Sequence, residues 1–325
     1  MALDEFPNAN LALITCPGEY ATAEALKALN LGLDVMLFSD NIPEEDEIFL
    51  KKNAATEGLL MMGPDCGTAI VNGVPLGFAN NVKKGNIGIV AASGTGLQQV
   101  SCLIDRWGGG ISQAIGTGGR DLSAEVGGST MIAGIDALAA DSNTEVIVLI
   151  SKPPSQEVAC KVLERVAQTD KPVVVNFLGS MMEMPTGTEA TEAKTLEAAA
   201  HAAVCLAGID VQTPARHLVT TGEVATLTNS LSGSQKFVRG LYSGGTFSYE
   251  AILLLTDMLG PIHSAAPLSS EQKLDNPWQS IEHTILDLGG DVFTRGRPHP
   301  MIDQRLRNER ILQEAMDPEL SLIHI

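Results

Sequence analysis

The chain has 325 residues, with 21 Lys and Arg against 39 Asp and Glu and a net charge of −18. That balance excludes a general nucleic-acid binder, whose phosphate contacts need a basic surface. Hydrophobic residues at 44%, aromatics at only 4% and 32 glycines favour close-packed α/β layers over a β-sandwich, and the length allows two or three domains.

Residues 1–83 alternate strand and helix. Leu11 to Thr15 reads as a strand, followed by the turn Cys16-Pro17-Gly18-Glu19-Tyr20 and an Ala/Leu-rich helix over Ala21 to Leu31. A strand over Leu33 to Phe38 ends at Ser39-Asp40-Asn41, a helix with an acidic first turn follows over Pro43 to Thr56, and Leu59 to Met62 ends in Gly63-Pro64-Asp65-Cys66-Gly67. This alternation implies a doubly wound α/β unit, although no strand with a Gly-rich fingerprint precedes residue 11.

Residues 84–209 form a second such unit, organised around 85–101. Ile87 to Ala91 is a short uncharged apolar run, as in a strand buried on both faces. After Ser93-Gly94-Thr95-Gly96 the apolar spacing becomes helical at Leu97, Val100, Leu103 and Ile104. A strand, a tight Gly turn and a helix leave backbone N–H groups and the positive helix end facing outward, and Ser93 and Thr95 add hydroxyls. This reads as a phosphate or carboxylate site for a small anionic substrate, or as an ordinary βα turn. Further strands fall near Ile111–Ile115, Val146–Ile150 and Val173–Phe177, with helices at about 95–107, 129–140 and 155–169. Two more Gly turns close strands, at Gly116-Thr117-Gly118-Gly119-Arg120-Asp121 and Gly179-Ser180. Arg120, flanked by glycines, suits anion contact or an Arg–Asp surface pair.

After an Ala/Glu helix within 180–207, residues 210–235 read as a linker. The third unit, 236–319, echoes the second. Val238 to Tyr242 leads into Ser243-Gly244-Gly245-Thr246, and Ile285 to Asp291 parallels Ala114 to Asp121. An internal duplication explains this, and it implies two similar anion sites that could face each other. Arg295, Arg297 and His299 suit a carboxylate or phosphate contact or a solvated loop. Met301 to Met316 reads as a helix after which a strand should follow. The chain instead ends Leu320-Ser321-Leu322-Ile323-His324-Ile325, which matches the translated transposon end of common sequencing libraries. Residues 320–325 therefore read as a non-native tail without structure.

The five cysteines are odd in number and widely spaced, with no Cys-x-x-Cys, so neither a zinc site nor a disulfide framework is expected, and no other metal site is legible. A reducing cytosol fits, and a cytoplasmic location is expected. Met1 to Asn10 is acidic and polar rather than a signal peptide, and no apolar run approaches the ~20 residues of a membrane span. A P-loop is absent by pattern, and Gly94 to Gln99 lacks the third Gly of a dinucleotide fingerprint. His217 and His263 have no partners nearby in sequence and read as structural.

The order Gly63-Pro64-Asp65-Cys66-Gly67, Lys84-Gly85-Asn86-Ile87-Gly88-Ile89-Val90, Ser93-Gly94-Thr95 resembles the α subunit of succinyl-CoA synthetase. The runs 62–69, 109–122 and 296–303 resemble, more closely, the FdrA-type acyl-CoA synthetase-like proteins of that superfamily. The resemblance implies tandem doubly wound α/β units. A partial CoA-binding, Rossmann-like domain (1–83) precedes a flavodoxin-like ligase domain (84–209) and, beyond the linker, a second, β-subunit-like ligase domain (236–319) that is incomplete. It implies CoA or a nucleotide as cofactor, with Pro17, Asn41, Gly63 and Pro64 at the CoA site, Mg as a further requirement, and a homo- or hetero-oligomer with another subunit. The first strand and Gly loop of the CoA-binding domain are missing, so the chain looks truncated at both ends and should bind CoA weakly.

One departure matters. The superfamily's phosphohistidine loop corresponds to Asn176-Phe177-Leu178-Gly179-Ser180-Met181-Met182-Glu183, which has no His. His201, within Ala-Ala-His-Ala-Ala on a helix, reads as a packing or surface residue. FdrA-type proteins without that His resemble carbamoyl-transfer proteins of purine-ring catabolism, which act on carbamoyl phosphate and oxamate. The expectation is a subunit handling an acyl or carbamoyl phosphate at Gly turns without a phosphohistidine. The alternatives are an oxamate carbamoyltransferase subunit or a non-catalytic subunit of a heteromeric complex.

Overall fold

A computed structural model describes the chain except residues 1, 181–183, 185, 212–219 and 325. The chain divides into two compact units, Met1–Gln212 and Thr213–Ile325.

The first unit begins with α1 (Ala2–Glu5), β1 (Leu11–Ile14), α2 (Gly18–Asn30), β2 (Asp34–Leu37), α3 (Glu44–Glu57) and β3 (Met61–Met62). The strands form a parallel sheet in the order β1-β2-β3. Ala21, Ala25 and Ala28 recur at helical spacing on α2, and these small side chains let the helix settle against Ile14, Val35 and Leu37. α3 stops at Gly58, whose left-handed φ of 68° costs a glycine little.

A hairpin that the periodicity reading passed over comes next, β4 (Thr68–Val71) and β5 (Val74–Gly77). Its turn, Asn72-Gly73, has positive φ at both residues, 53° and 82°, as a two-residue hairpin turn requires. Then follow β6 (Lys84–Ala91), α4 (Gly94–Arg106), β7 (Ile111–Gly116), α5 (Ser129–Ala140), β8 (Val146–Ser151), α6 (Gln156–Val166), β9 (Val173–Phe177), β10 (Ala190–Glu192) and α7 (Leu196–Leu206). The sheet order is β10-β9-β8-β6-β7-β4-β5. All six residues of β8 are buried, the pattern of a central parallel strand covered on both faces. α4 packs with α7, and α5 packs with α6. Counted from β6, the order is the flavodoxin-like 2-1-3-4-5 winding, with its switch point between β6 and β8.

The second unit contains α8 (Thr221–Ser230), β11 (Phe237–Tyr242), α9 (Gly245–Leu259), β12 (Thr284–Asp287), α10 (Asp291–Thr294), α11 (Arg305–Glu314) and β13 (Leu320–His324). Its parallel sheet runs β12-β11-β13, which repeats β7-β6-β8 strand for strand. The internal duplication thus extends to topology.

Three expectations change. Residues 221–230, within the expected linker, form α8, closed by a Thr220/Glu223 capping box and burying none of its side chains. The helix expected from Met301 begins only at Arg305. Residues 320–324, expected to lack structure, form β13, which pairs with β11 through a register shift, with Leu320 buried and Ile323 packed against the core.

Candidate functional site

Parallel strands put their carboxyl ends on one edge, and there the first unit gathers its Gly turns. The turn after β6 is stitched to both neighbours: Ala92 N donates to Ile150 O at 2.9 Å, and Thr117 N donates to Ala91 O at 2.9 Å. Ser93, buried and extended at φ −158° and ψ 108°, is the N-cap of α4, its Oγ accepting from Gly96 N at 2.9 Å. Leu97 N donates to Ser93 O. Ser93 therefore acts as a cap rather than as the outward hydroxyl expected of it, and Gly94 and Thr95 present the outward helix start. Gly96 is required by packing, since a Cβ there would lie 2.7 Å from Ser93 Oγ and 2.9 Å from Ile150 Cγ2. Gly94 is exposed, and a Cβ there would meet Thr68 Oγ1 at 3.3 Å; Thr68 Oγ1 also accepts from Gln98 Nε2 at 3.0 Å.

Gly118 has φ 87°, and any Cβ on it would collide with Pro64 O. The turn after β7 thus presses on the Gly63–Pro64 turn after β3, joining two groups of residues that sequence placed in separate sites. A Cβ on Gly119 would meet only Asp65 Oδ2, at 3.9 Å. Arg120 is engaged by the protein: Nε donates to Glu47 Oε2 at 3.0 Å and Nη2 donates to Ile42 O at 2.8 Å. This replaces the Arg–Asp pair, because the carboxylate partner of Arg120 is Glu47 of α3 and not Asp121.

Asp121 serves elsewhere. It is fully buried, accepts from Thr130 N and from Met131 N at 2.8 Å, and takes Lys51 Nζ at 2.6 Å. A carboxylate of the chain itself thus occupies the positive end of α5. Lys51 also donates to Thr117 O at 3.0 Å and lies 2.9 Å from Glu47 Oε1 without hydrogen-bond geometry, an electrostatic contact only. Sequence periodicity gave no sign of this cluster, which ties α3 to the β7 turn.

Pro17, Asn41, Gly63 and Pro64 follow β1, β2 and β3 and share their carboxyl edge. Asn41 has a left-handed φ of 56°. Gly18 packs on the carbonyls of Asp40 and Asn41, and Gly63 on that of Leu37, so these glycines serve the chain's own turns. Residues 16–20, 38–43 and 62–67 supply Glu19, Asp40 and Asp65 and not one Lys, Arg or His. That charge pattern fits the phosphates of CoA poorly. Cys66 is no nucleophile: burial pushes its thiol up to about 12, and Sγ turns to Gly116 O at 3.3 Å.

In the second unit, Gly244 is the N-cap of α9, at φ −167° and ψ 124°. It stands where Ser93 stands, so Gly245 matches Gly94, Thr246 matches Thr95, and Ser243 matches Ala92. The expected pairing of Ser93 with Ser243 is off by one residue. No side chain caps α9. Instead Arg307 Nη1, from α11, donates to Ser243 Oγ at 3.2 Å, bringing a guanidinium to the turn. Sequence reasoning missed Arg307, which lies 64 residues from Ser243.

α11 is pinned by a buried ion network. Arg239 Nε of β11 donates to Glu314 Oε2 at 2.8 Å, and Arg310 Nε donates to Glu314 Oε1 at 2.6 Å. Arg239 also bonds Asp317 and Glu282 O.

Of Arg295, Arg297 and His299, the last two have partners of their own within the unit. Arg297 stacks on Trp278, 5.1 Å from the ring centroid, and His299 packs on Gly289 with Nδ1 accepting from Met301 N. His263, expected to be alone, lies 3.5 Å from Glu282 Oε2, and the 18 intervening residues hide that pair. His201 is exposed on α7, its ring edge-on to Trp107 at 5.8 Å. His217 and Met181–Met182 of the histidine-free loop lie outside the described residues. Among the described residues no three His, Cys, Asp or Glu converge as a metal site, and no helix is long and apolar enough to cross a membrane.

Family models match both halves of this architecture: a CoA binding domain over residues 82–179 and a CoA-ligase domain over residues 241–325. The chain is an α/β protein of CoA-binding and CoA-ligase type. The first match falls on the unit built around β6, not on residues 1–83. The chain is 47% identical over 323 residues to the uncharacterized protein YahF of Escherichia coli K12, covering 99% of this chain and 62% of that one. It is 30% identical over 185 residues to the mitochondrial succinate–CoA ligase [ADP-forming] subunit alpha-2 of Trichomonas vaginalis, covering 55% and 59%. An ATP citrate lyase structure from Methanothrix soehngenii superposes with a TM-score of 0.49 at 19% identity, over 63% of this chain and 36% of that one. The chain thus spans about 60% of the length of these two curated relatives.

Proposed function

We propose that this chain belongs to an FdrA-type, succinyl-CoA synthetase-like subunit that handles an acyl or carbamoyl phosphate at the starts of α4 and α9, without a phosphohistidine. The observation that carries the reading is the β6–α4 turn. It lies at the switch point of the sheet, its first helical residue is an exposed glycine, and the first N–H groups of a helix have no intrahelical partner. The α9 turn supports it with the same backbone path and a nearby guanidinium, which suits a phosphoryl group. An activated phosphate needs such donors and needs no carrier imidazole.

These residues would act by binding and orienting. The helix N–H groups hold the anion, the missing Cβ of Gly94 allows close approach, and Arg307 neutralises charge at the second turn. The CoA-binding match supports a cofactor role for CoA, which would supply a thiol acceptor when bound. The acidic edge beside Pro17, Asn41 and Gly63 predicts weak CoA binding by the 325-residue chain. Calorimetric titration should detect no micromolar affinity, and a micromolar value would refute that expectation.

The function is tested with the full-length protein and its partner subunits, in one assay for CoA-dependent ADP formation and one for carbamoyl phosphate consumption with oxamate. Activity in either supports the reading. Inactivity in both, with inorganic phosphate binding neither turn, leaves the non-catalytic subunit as the answer.

A further inference from the structure

β9 carries one polar side chain in its otherwise apolar run, Asn176, and that residue is fully buried at the carboxyl end of the strand. One hydrogen bond orients its amide: Nδ2 donates to Ala193 O at 2.8 Å. A carbonyl can only accept, so the nitrogen faces Ala193 and the oxygen faces away from it. Oδ1 is buried and has no hydrogen-bond partner among the described residues, and an unpaired buried acceptor is costly. The sheet register places this side chain. Asn176 is the register partner of Ile150 on β8, and Ile150 is the partner of Ala91 on β6. Register partners in a parallel sheet point to the same face. The Ile150 side chain lies beneath the first turn of α4, since a Cβ on Gly96 would be 2.9 Å from Ile150 Cγ2. Asn176 therefore stands on the face where α4 begins, one strand spacing of about 4.8 Å beyond Ile150. Ala193 agrees with that placement, because it leads through the N-cap Thr195 into α7, which packs on α4.

We infer that Asn176 is the specificity residue for the ligand held at the start of α4, an inference that rests on the anion-site reading of that turn. The phosphate of the ligand sits on the helix N–H groups, and Asn176 Oδ1 accepts a hydrogen bond from the substituent on the adjoining carbonyl carbon. The residue thus selects a carbonyl phosphate that bears –NH2 on that carbon over one that bears a hydrocarbon group. An –NH2 group satisfies the orphan acceptor, whereas a methyl group leaves it unpaired against carbon. A site built to hydrogen-bond a substrate N–H rejects the analogue lacking it far more strongly than an apolar pocket rejects a misfit. A purely structural Asn176 would only tie β9 to the segment before α7, with a buried water on Oδ1. It would show no preference between the two ligands.

Carbamoyl phosphate and acetyl phosphate differ only in –NH2 against –CH3, so the pair isolates this hydrogen bond. Each of them, and inorganic phosphate, is titrated calorimetrically into the full-length protein with its partner subunits. The wild type should bind carbamoyl phosphate at least about 10-fold more tightly than acetyl phosphate. Asn176→Leu keeps the size of the side chain and removes the acceptor. It should bring the two compounds within about twofold of each other, with affinity for inorganic phosphate within about twofold of wild type. Asn176→Ala, which adds no atoms to the core, should give the same result where leucine packs badly. Equal binding of the two compounds by the wild type, or a preference that survives both substitutions, overturns the role of Asn176 and leaves the anion site standing. Inorganic phosphate that does not bind, or that binds Gly94→Val as well as wild type, removes the anion site itself and this inference with it.

Discussion

The β6–α4 and β11–α9 turns follow nearly the same path through space and use different chemistry. Their N-cap residues, Ser93 and Gly244, differ by only 9° in φ and 16° in ψ. Ser93 satisfies one helix N–H with its own hydroxyl, and its turn is stitched to β7 and β8. Gly244 caps nothing, and a guanidinium arrives from α11 instead. Backbone geometry has outlasted side-chain chemistry in this duplication. The first turn is a rigid, neutral cradle, whereas the second depends on how well α11 is held.

The largest effect should come from that dependence. Glu314 joins Arg239, Arg310 and Ser280, all through bonds of 2.6–2.8 Å. Glu314→Ala would leave two guanidinium groups buried without their shared carboxylate, at a cost of about 3–5 kcal/mol. Calorimetry should show the second unit melting earlier while the first keeps its transition. A single unshifted transition would show that α11 is held by other means.

Next comes Gly94→Val, which aims at the first turn. A side chain there blocks approach to the helix N–H groups and crowds Thr68 Oγ1. Activity in the full-length protein should fall by at least about 100-fold while Tm moves by only a few degrees, the position being at the solvent edge. Retained activity would remove the first turn from the mechanism.

Arg307→Ala sharpens the contrast in the second turn. A hydrogen bond to a charged group contributes about 1.5–3 kcal/mol, so inorganic phosphate should bind about 10- to 100-fold more weakly. Arg307→Lys should recover part of the loss, since it keeps the charge and loses the fork. Phosphate affinity unchanged in Arg307→Ala would leave the guanidinium a merely structural bond to Ser243.

Local signals explain which of these features sequence could reveal. Val-Ile-Val-Leu-Ile over 146–150 is a buried strand by composition, and Ser93-Gly94-Thr95-Gly96 after an apolar run is a helix start by spacing. The helix at 129–140 matched α5 residue for residue. Asn72-Gly73 is a hairpin signal by its turn residues, but the strands beside it are only four residues long, too short for periodicity to show. Ion partners were beyond reach. Lys51 and Asp121 are 70 residues apart, Arg239 and Glu314 are 75, and no periodicity links such pairs. Ser93 and Ser243 align by residue identity but differ by one position counted from the strand ends, which sequence does not mark.

The smallest effect belongs to His201. If the Gly turns work without a phosphorylated imidazole, the chain's one histidine on α7 should be dispensable. Its position agrees: it is exposed on the helix surface, and its ring makes an edge-on contact with Trp107 rather than standing on a loop at the sheet's carboxyl edge. A phosphate carrier must move between a nucleotide and an acyl acceptor, and a residue in the middle of an 11-residue helix is held in place by that helix's hydrogen bonds. His201→Ala should cost about 0.5–1.5 kcal/mol at most, from the lost aromatic pair. It should also leave activity within about twofold. Incubation of the wild-type protein with labelled ATP and Mg²⁺ should give no acid-labile, base-stable phosphoprotein. Label that appears in the wild type and vanishes in His201→Ala would restore a phosphohistidine to the mechanism. It would also make α7, not the two Gly turns, the element from which the phosphoryl group departs.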